Sequence, residues 1–312
     1  MRFAGAVWAA LRGQRSTARS TVDEDTTMAT QLFQPPYGSP AWFHTAATSA
    51  RDGIAFHQVR LTPELANEML KNNEGNRHVS PLLVAKYSAD IVAGRWALNG
   101  EPIIVSKDGK LNDGQHRASA VIDANTPIDV VMVFGVERET RTTVDLGKVR
   151  TLSDILSMEG VANAALSAAI ANMVLAYERS SGQNLHHSKY ITSGESKARV
   201  HADPAIAAAA TYATTKTRYA KKYVGGSAIG FCFYILSRID LNAAHEYLDK
   251  VCMGENLKRN DPAHSVRERL LNEGKQRDKK VSVILRGWTF YRRNRSVAPT
   301  NLPASLPFPA VF

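Results

Sequence analysis

Between Leu111 and Ala118 the chain reads Leu-Asn-Asp-Gly-Gln-His-Arg-Ala, and the residue types from Asn112 to Arg117 could act together on an anion. Gly114 stands where a short apolar run that reads as a strand gives way to one that reads as a helix. With no Cβ at that point, backbone amides can approach an anion closely, and a helix starting there adds the positive end of its dipole. Arg117 supplies a bidentate fork in the first turn and His116 a further donor. Asp113 is the kind of carboxylate that meets Mg²⁺ beside phosphate oxygens. The pattern is that of a phosphate cradle. A plainer reading stands beside it: Gly114 serves only the turn, Asp113 caps the turn or the next helix, and Asp113 and Arg117 form a local ion pair.

The surrounding sequence predicts the elements that would hold this loop. An extended segment from Ile54 to Leu61 leads into Thr62-Pro63, which reads as the cap and first residue of a helix running to Asn72. Ser80-Pro81 repeats the device before a helix whose Leu83, Val84, Tyr87 and Ile91 share one face and which Gly94 ends. Pro102-Ile103-Ile104-Val105 reads as a buried strand, Lys107-Asp108-Gly109-Lys110 as a tight turn into a strand at Leu111, Ala118 to Ala124 as a short helix, and Ile128 to Phe134 as another strand. Beyond Asp145 only helical patterns follow: Leu152–Met158, Ala162–Arg179, Pro204–Lys221, Ala228–Arg238, Asn242–Cys252, Ala263–Leu271 and Lys279–Arg293. The fold class expected is therefore α+β, with an α+β domain over 51–150 and an all-α domain over 151–295. Residues 1–50, with Arg2, Arg12, Arg15 and Arg19 ahead of the first acid, read as a disordered arm, and 296–312 as a flexible Pro-rich tail.

Asn76-Arg77, a helix to Gly94, Glu101-Pro102-Ile103, and then Gly114-Gln115-His116-Arg117 with Ala120 follow one another in an order and spacing that resembles the ParB/sulfiredoxin superfamily. The likeness runs from Ile54 to Arg150 and is greatest to phage-type, ParB-like members whose loop reads Asp-Gly-Gln-His-Arg. It implies a ParB/sulfiredoxin-like domain that binds a nucleoside triphosphate, ATP or CTP, with Mg²⁺. Gly114, Gln115, His116 and Arg117 would hold the phosphates, and Arg77 would face the same pocket. Arg150 would add a contact, a salt bridge linking the domains being its other reading. Asp113 would meet the metal. If the nucleotide is turned over, Asp113 or Glu101 would serve as the catalytic carboxylate, although Glu101 also reads as an exposed turn residue. The resemblance further implies a phage or prophage protein in the cytoplasm of a bacterial host, with DNA as a partner.

Two departures narrow these expectations. Gln115 stands where sulfiredoxins carry their nucleophilic cysteine, and a carboxamide cannot form the sulfur intermediate, so reductase chemistry is excluded. After the last strand, where ParB proteins have an Asn-x-Gln-Arg segment, residues Val136 to Arg150 carry instead Thr143, Asp145, Gly147 and Arg150 as punctuation. Three functional readings stay open: a nucleotide-phosphate-binding protein acting with DNA, a DNA-binding protein without nucleotide turnover, and a nucleotide-dependent phosphotransferase or NTPase.

The composition of the 312 residues, 44% hydrophobic and 22% charged, is that of a globular protein. The longest apolar run, Val224 to Leu236, is broken by glycines and falls short of the roughly 18 residues of a membrane span, so none is expected. Cys232 and Cys252 have no zinc-type spacing and read as buried thiols of a reducing compartment. The net charge of +10 is concentrated from Glu255 to Arg295 and offers Arg292, Arg293 and Arg295 as a nucleic-acid surface, with a solvated helix face as the other reading. Trp288 falls at helical spacing with Val281, Ile284, Leu285 and Tyr291 and reads as core. Gly225 to Gly230 lacks the lysine of a Walker loop and reads as a close-packed helix start, and His186-His187 as a solvated pair.

Overall fold

The structure, a computed structural model, describes residues 34–144, 150–259 and 261–312. In its first half, three helices open in the same way. In α1 (Pro40–Ser49), α2 (Pro63–Lys71) and α3 (Pro81–Val92) a Ser or Thr hydroxyl accepts from a first-turn N–H, and proline occupies a position that has no N–H to leave unpaired. Helix α1 corrects the expected disordered arm. Trp42 and Phe43 on it are buried and pack against Phe134, with ring centroids 5.8 Å apart in each case. Its signal, Ser39-Pro40, was the device read correctly at Thr62-Pro63 and Ser80-Pro81. Residues 1–33 of that arm lie outside the described residues.

Four strands, β1 (Ala55–Leu61), β2 (Pro102–Ser106), β3 (Leu111–Asp113) and β4 (Ile128–Val136), form one mixed sheet in the order β1-β4-β2-β3. β4 runs antiparallel to β1, with Leu61 opposite Ile128 and Ala55 opposite Phe134, and parallel to β2, with Ile103 opposite Met132. A parallel neighbour needs a crossover, which β3 and helix α4 (Gln115–Ala124) supply between β2 and β4. The predicted loop therefore sits where the crossover turns from sheet to helix. Alternation along β4 buries Ile128, Val130, Met132 and Phe134, and these pack with Leu65 and Met69 of α2 and Ala118 and Val121 of α4 in one core. The mixed α+β class is as expected.

The second half is helical: α5 (Leu152–Met158), α6 (Ala164–Arg179), α7 (Ser193–Ala202), α8 (Pro204–Ala220), α9 (Gly226–Ser237), α10 (Leu241–Met253), α11 (Pro262–Leu271) and α12 (Arg277–Arg292). It has its own core, in which Trp288 is fully buried. Gly230 belongs to that packing, because a Cβ there would lie 2.4 Å from the Ile170 side chain. Helix α7 was not anticipated from the sequence, though Thr192 and Glu195 form a capping box at its start. Burial pushes the pKa of the Cys252 thiol up to about 12, and that of Cys232 upward as well, so neither is a reactive thiolate.

The expected flexible tail is packed against the helices. Val297, Leu302 and Phe308 are buried. Arg286 donates to the carbonyls of Ser305 and Pro307 at 3.1 and 3.0 Å, the Phe308 amide donates to Gln183, and the Trp288 indole donates to the Phe312 carbonyl. The proline content hid three apolar anchors. The two halves meet through polar groups: Asp90 of α3 accepts from the Thr192 hydroxyl and from Arg95, at 2.7 and 2.8 Å. Among the described residues no helix is long and apolar enough to cross a membrane.

Candidate functional site

Gly114 occupies the N-cap of α4 with φ of +110°, and a Cβ there would come within 2.9 Å of Ile103 on β2. Backbone conformation and close packing on the sheet both demand glycine. Because the cap residue has no side chain, it cannot accept from the first turn, and among the described residues the N-terminal amides of this ten-residue helix have no side-chain cap.

The next three side chains fold inward, each with under a tenth of its surface exposed. Gln115 Nε2 donates to the Arg77 carbonyl at 3.0 Å, and its Oε1 accepts from Asn73 at 2.9 Å. His116 Nε2 accepts from the Ser80 amide at 3.0 Å, an arrangement that requires a neutral ring with its proton on Nδ1. Arg117 donates from Nη1 to the Glu101 carbonyl and from Nη2 to the Pro102 carbonyl and Asp113 Oδ2, all at 2.7 Å. The arginine read as a phosphate fork thus has its fork committed to protein acceptors, and the ion-pair reading matches these contacts. Gln115 and His116 moor the segment from Asn73 to Ser80 over the start of α4. In this arrangement the cradle would use the loop's backbone, not its long side chains.

What that moored segment encloses is a cavity of about 320 Å³, lined by Gly75, Asn76, Arg77, Asn112, Asp113, Gln115 and the stretch Arg141, Thr142 and Val144. Asn76 fixes one wall by donating to the Leu111 carbonyl at 2.6 Å and to Asn73 at 2.7 Å. Arg138 fixes another by donating to the Leu111 carbonyl, the Asn112 side chain and the Glu74 carbonyl. Arg141 reaches across to the Gly75 carbonyl at 2.9 Å and keeps the rest of its guanidinium on the cavity wall. Two arginines, Arg77 and Arg141, therefore share the cavity wall with Asp113, whose charge Arg117 already balances. Desolvation, reinforced by repulsion from Arg141, lowers the pKa of Arg138.

Not every residue singled out from the sequence joins this cavity. Glu101 is exposed and off its wall, and contributes a carbonyl to Arg117 rather than a carboxylate. Arg150 is exposed and likewise off the wall, while Asp145 and Gly147 lie outside the described residues. No cluster of three or more His, Cys, Asp or Glu side chains suited to a metal occurs among the described residues, and Asp113 is the one carboxylate in the described wall. Sequence reasoning missed Arg138 and Arg141. Their signal was two arginines three residues apart just after β4, on the short 3-10 turn Arg138–Thr143, in the stretch where only Arg150 was singled out.

Several basic residues of the helical half also have structural partners. Arg267 donates to the Val251 and Cys252 carbonyls, Arg269 pairs with Glu273, and Lys280 donates to the Tyr223 carbonyl. Arg292 pairs with Asp240 at 2.7 Å and lies over the Trp288 ring, whereas Arg293 lies over Phe312. Arg295 lines a separate cleft.

Burial, reinforced by the charge of Arg77 and opposed by Asp113, lowers the His116 pKa below its ordinary 6.5. Protons then bind the unfolded chain more readily than the folded one. The stabilisation is complete above pH 6.5 and is lost as pH falls from there through the lower folded pKa. His116→Gln keeps an acceptor for the Ser80 amide without titrating. Melting curves from pH 7.5 to about 5 should fall less steeply for that variant than for the wild type; parallel curves would show that His116 does not couple to folding.

No protein family, no curated protein and no solved structure matches this chain.

Proposed function

We propose that this chain binds the phosphate chain of a nucleoside triphosphate, with Mg²⁺, in the cavity between the Gly75–Arg77 loop, the start of α4 and Arg141. One observation carries the reading. The N-terminus of α4, which no side chain caps among the described residues, adjoins a polar cavity whose wall includes two arginines. Helix-end amides and paired arginines are the groups that suit a phosphate chain, one by dipole and the other by charge-assisted hydrogen bonds. A volume near 320 Å³ is at the small end of ligand sites and suits the phosphate tail more than the whole nucleotide. Asp113 is the carboxylate in the described wall, and a carboxylate of this kind would share Mg²⁺ with phosphate oxygens. The resemblance to the ParB/sulfiredoxin superfamily supports the same reading and names ATP and CTP as the first ligands to try. The function proposed is binding, with association with DNA a further part of it that rests on the same resemblance.

Melting the purified protein with ATP, CTP, GTP and UTP, each with Mg²⁺, tests the proposal. A ligand at about 100 times its dissociation constant should add roughly 2.7 kcal/mol, enough to raise the melting temperature by a few degrees. Unchanged melting with all four nucleotides at millimolar concentration would overturn it.

A further inference from the structure

We infer that the helical half carries a second anion site, a cleft between the α10–α11 loop and the end of α12 that takes a small polyphosphate. The cleft has a volume of about 520 Å³ and shares no lining residue with the first cavity. Five cations, Lys250, Lys258, Arg259, Arg292 and Arg295, face two carboxylates, Glu246 and Asp261. Both carboxylates are engaged locally. Glu246 accepts from Lys250 at 2.9 Å and from the Tyr291 hydroxyl, which together hold its pKa below the ordinary carboxylate value. Asp261 caps α11 by accepting from the Ala263 amide at 2.8 Å. Lys250 and Arg292 are correspondingly paired, with Glu246 and Asp240. Lys258, Arg259 and Arg295 are exposed, and among the described residues no carboxylate forms an ion pair with them.

Backbone hydrogen bonds lie beside these three cations. The Asp261 amide donates to the Lys258 carbonyl at 3.0 Å. After α12, Asn294 adopts a left-handed φ of 50°, and the Arg295 amide folds back to the Phe290 carbonyl at 3.0 Å. Pro262, at the start of α11, lines the cleft, and the Asp261 carboxylate already offsets the positive end of that helix. Glu246 and Asp240 balance Lys250 and Arg292, and Asp261 offsets one further charge, so Lys258, Arg259 and Arg295 still leave the cleft net positive, which suits a run of two or three phosphoryl groups.

The shape and the aromatic residue decide against a polynucleotide. Reading a duplex through its major groove takes a protruding helix or ribbon, whereas these residues line a concavity. A single strand gains affinity by stacking bases on open aromatic faces. Tyr291, the aromatic residue in the described wall, is already packed against Tyr247 and Trp288, with centroids 5.1 and 5.9 Å away, and lies under Lys250. Recognition by charge alone remains, whether the phosphoryl chain is free or the tail of a nucleotide.

Calorimetric titration of the full chain at low salt with inorganic tripolyphosphate tests this, in three forms: wild type, Lys258→Ala with Arg259→Ala and Arg295→Ala, and Arg77→Ala with Arg141→Ala. The triple variant changes exposed side chains and should melt as the wild type does. It should bind tripolyphosphate at this cleft at least ten-fold more weakly, with a smaller salt dependence, while the Arg77/Arg141 variant keeps that binding. ATP in place of tripolyphosphate, titrated into the Arg77/Arg141 variant so that the first cavity does not contribute, separates the two sources, since equal affinity indicates a free phosphoryl chain and tighter binding a nucleotide tail. Wild-type and triple-variant isotherms that coincide would overturn the inference. So would a short single-stranded oligonucleotide that binds more than ten-fold tighter than tripolyphosphate and loses that binding in the triple variant, which would make the cleft a polynucleotide surface. Because the Arg77/Arg141 variant lacks only the first cavity's cations, failure of the first proposal leaves this result readable.

Discussion

Arg117→Met is expected to destabilise the fold by about 3 kcal/mol or more, the cost of removing one partner from a largely buried charged cluster. The substitution keeps the length of the side chain while removing its donors. Three acceptors, the carbonyls of Glu101 and Pro102 and the carboxylate of Asp113, would lose their shared guanidinium. Asp113 would then be left partly buried without its ion pair, and the start of β2 would lose its tie to α4. Arg117→Lys should recover only part of the loss, because a single ammonium cannot match the planar fork that reaches three oxygens. Urea denaturation read by circular dichroism measures the effect. An unchanged midpoint, together with lost nucleotide binding, would mean that the guanidinium serves a ligand and that the contacts described for it are not the ones that matter.

The second large effect is on binding. Arg77→Ala combined with Arg141→Ala should weaken nucleoside triphosphate binding by about 100-fold, taking each charge-assisted contact at about 1.5 kcal/mol, the low end appropriate to exposed guanidinium groups. Each single variant should lose about ten-fold. Arg77 is exposed, and among the described residues Arg141 donates to the Gly75 carbonyl alone, so stability should change little. A drop of less than three-fold in the double variant would show that these two arginines do not hold phosphates.

Local signals made much of this arrangement legible in the sequence. The Thr62-Pro63 and Ser80-Pro81 caps, the alternation in Ile128 to Phe134 and the strand-to-helix glycine each fix geometry within a few residues, and each appears where expected. The partners of the loop side chains were less legible. Whether Arg117 points to a phosphate or to Glu101 and Pro102 depends on how β2 lies against α4, a contact across sixteen positions of chain. Gln115 and His116 meet Arg77 and Ser80 from still farther, at separations of 38 and 36 residues. The same holds for the basic tail: Arg292 read as a surface charge because Asp240 lies 52 residues away. Helix α1 and the packed C-terminal residues were missed for another reason. Proline-rich composition suggested disorder, while the few apolar residues that anchor those segments, Trp42, Phe43, Leu302 and Phe308, carry no periodicity of their own.

A crystal structure of the protein with a non-hydrolysable nucleoside triphosphate and Mg²⁺ would show where the nucleotide lies. Phosphate oxygens are expected about 2.7 to 3.2 Å from the guanidinium groups of Arg77 and Arg141 and from the first amides of α4. Asp113 is expected beside the metal, and Arg117 still bound to the carbonyls of Glu101 and Pro102. A nucleotide that saturates the protein but lies elsewhere, with this cavity holding only water, would contradict the proposed site.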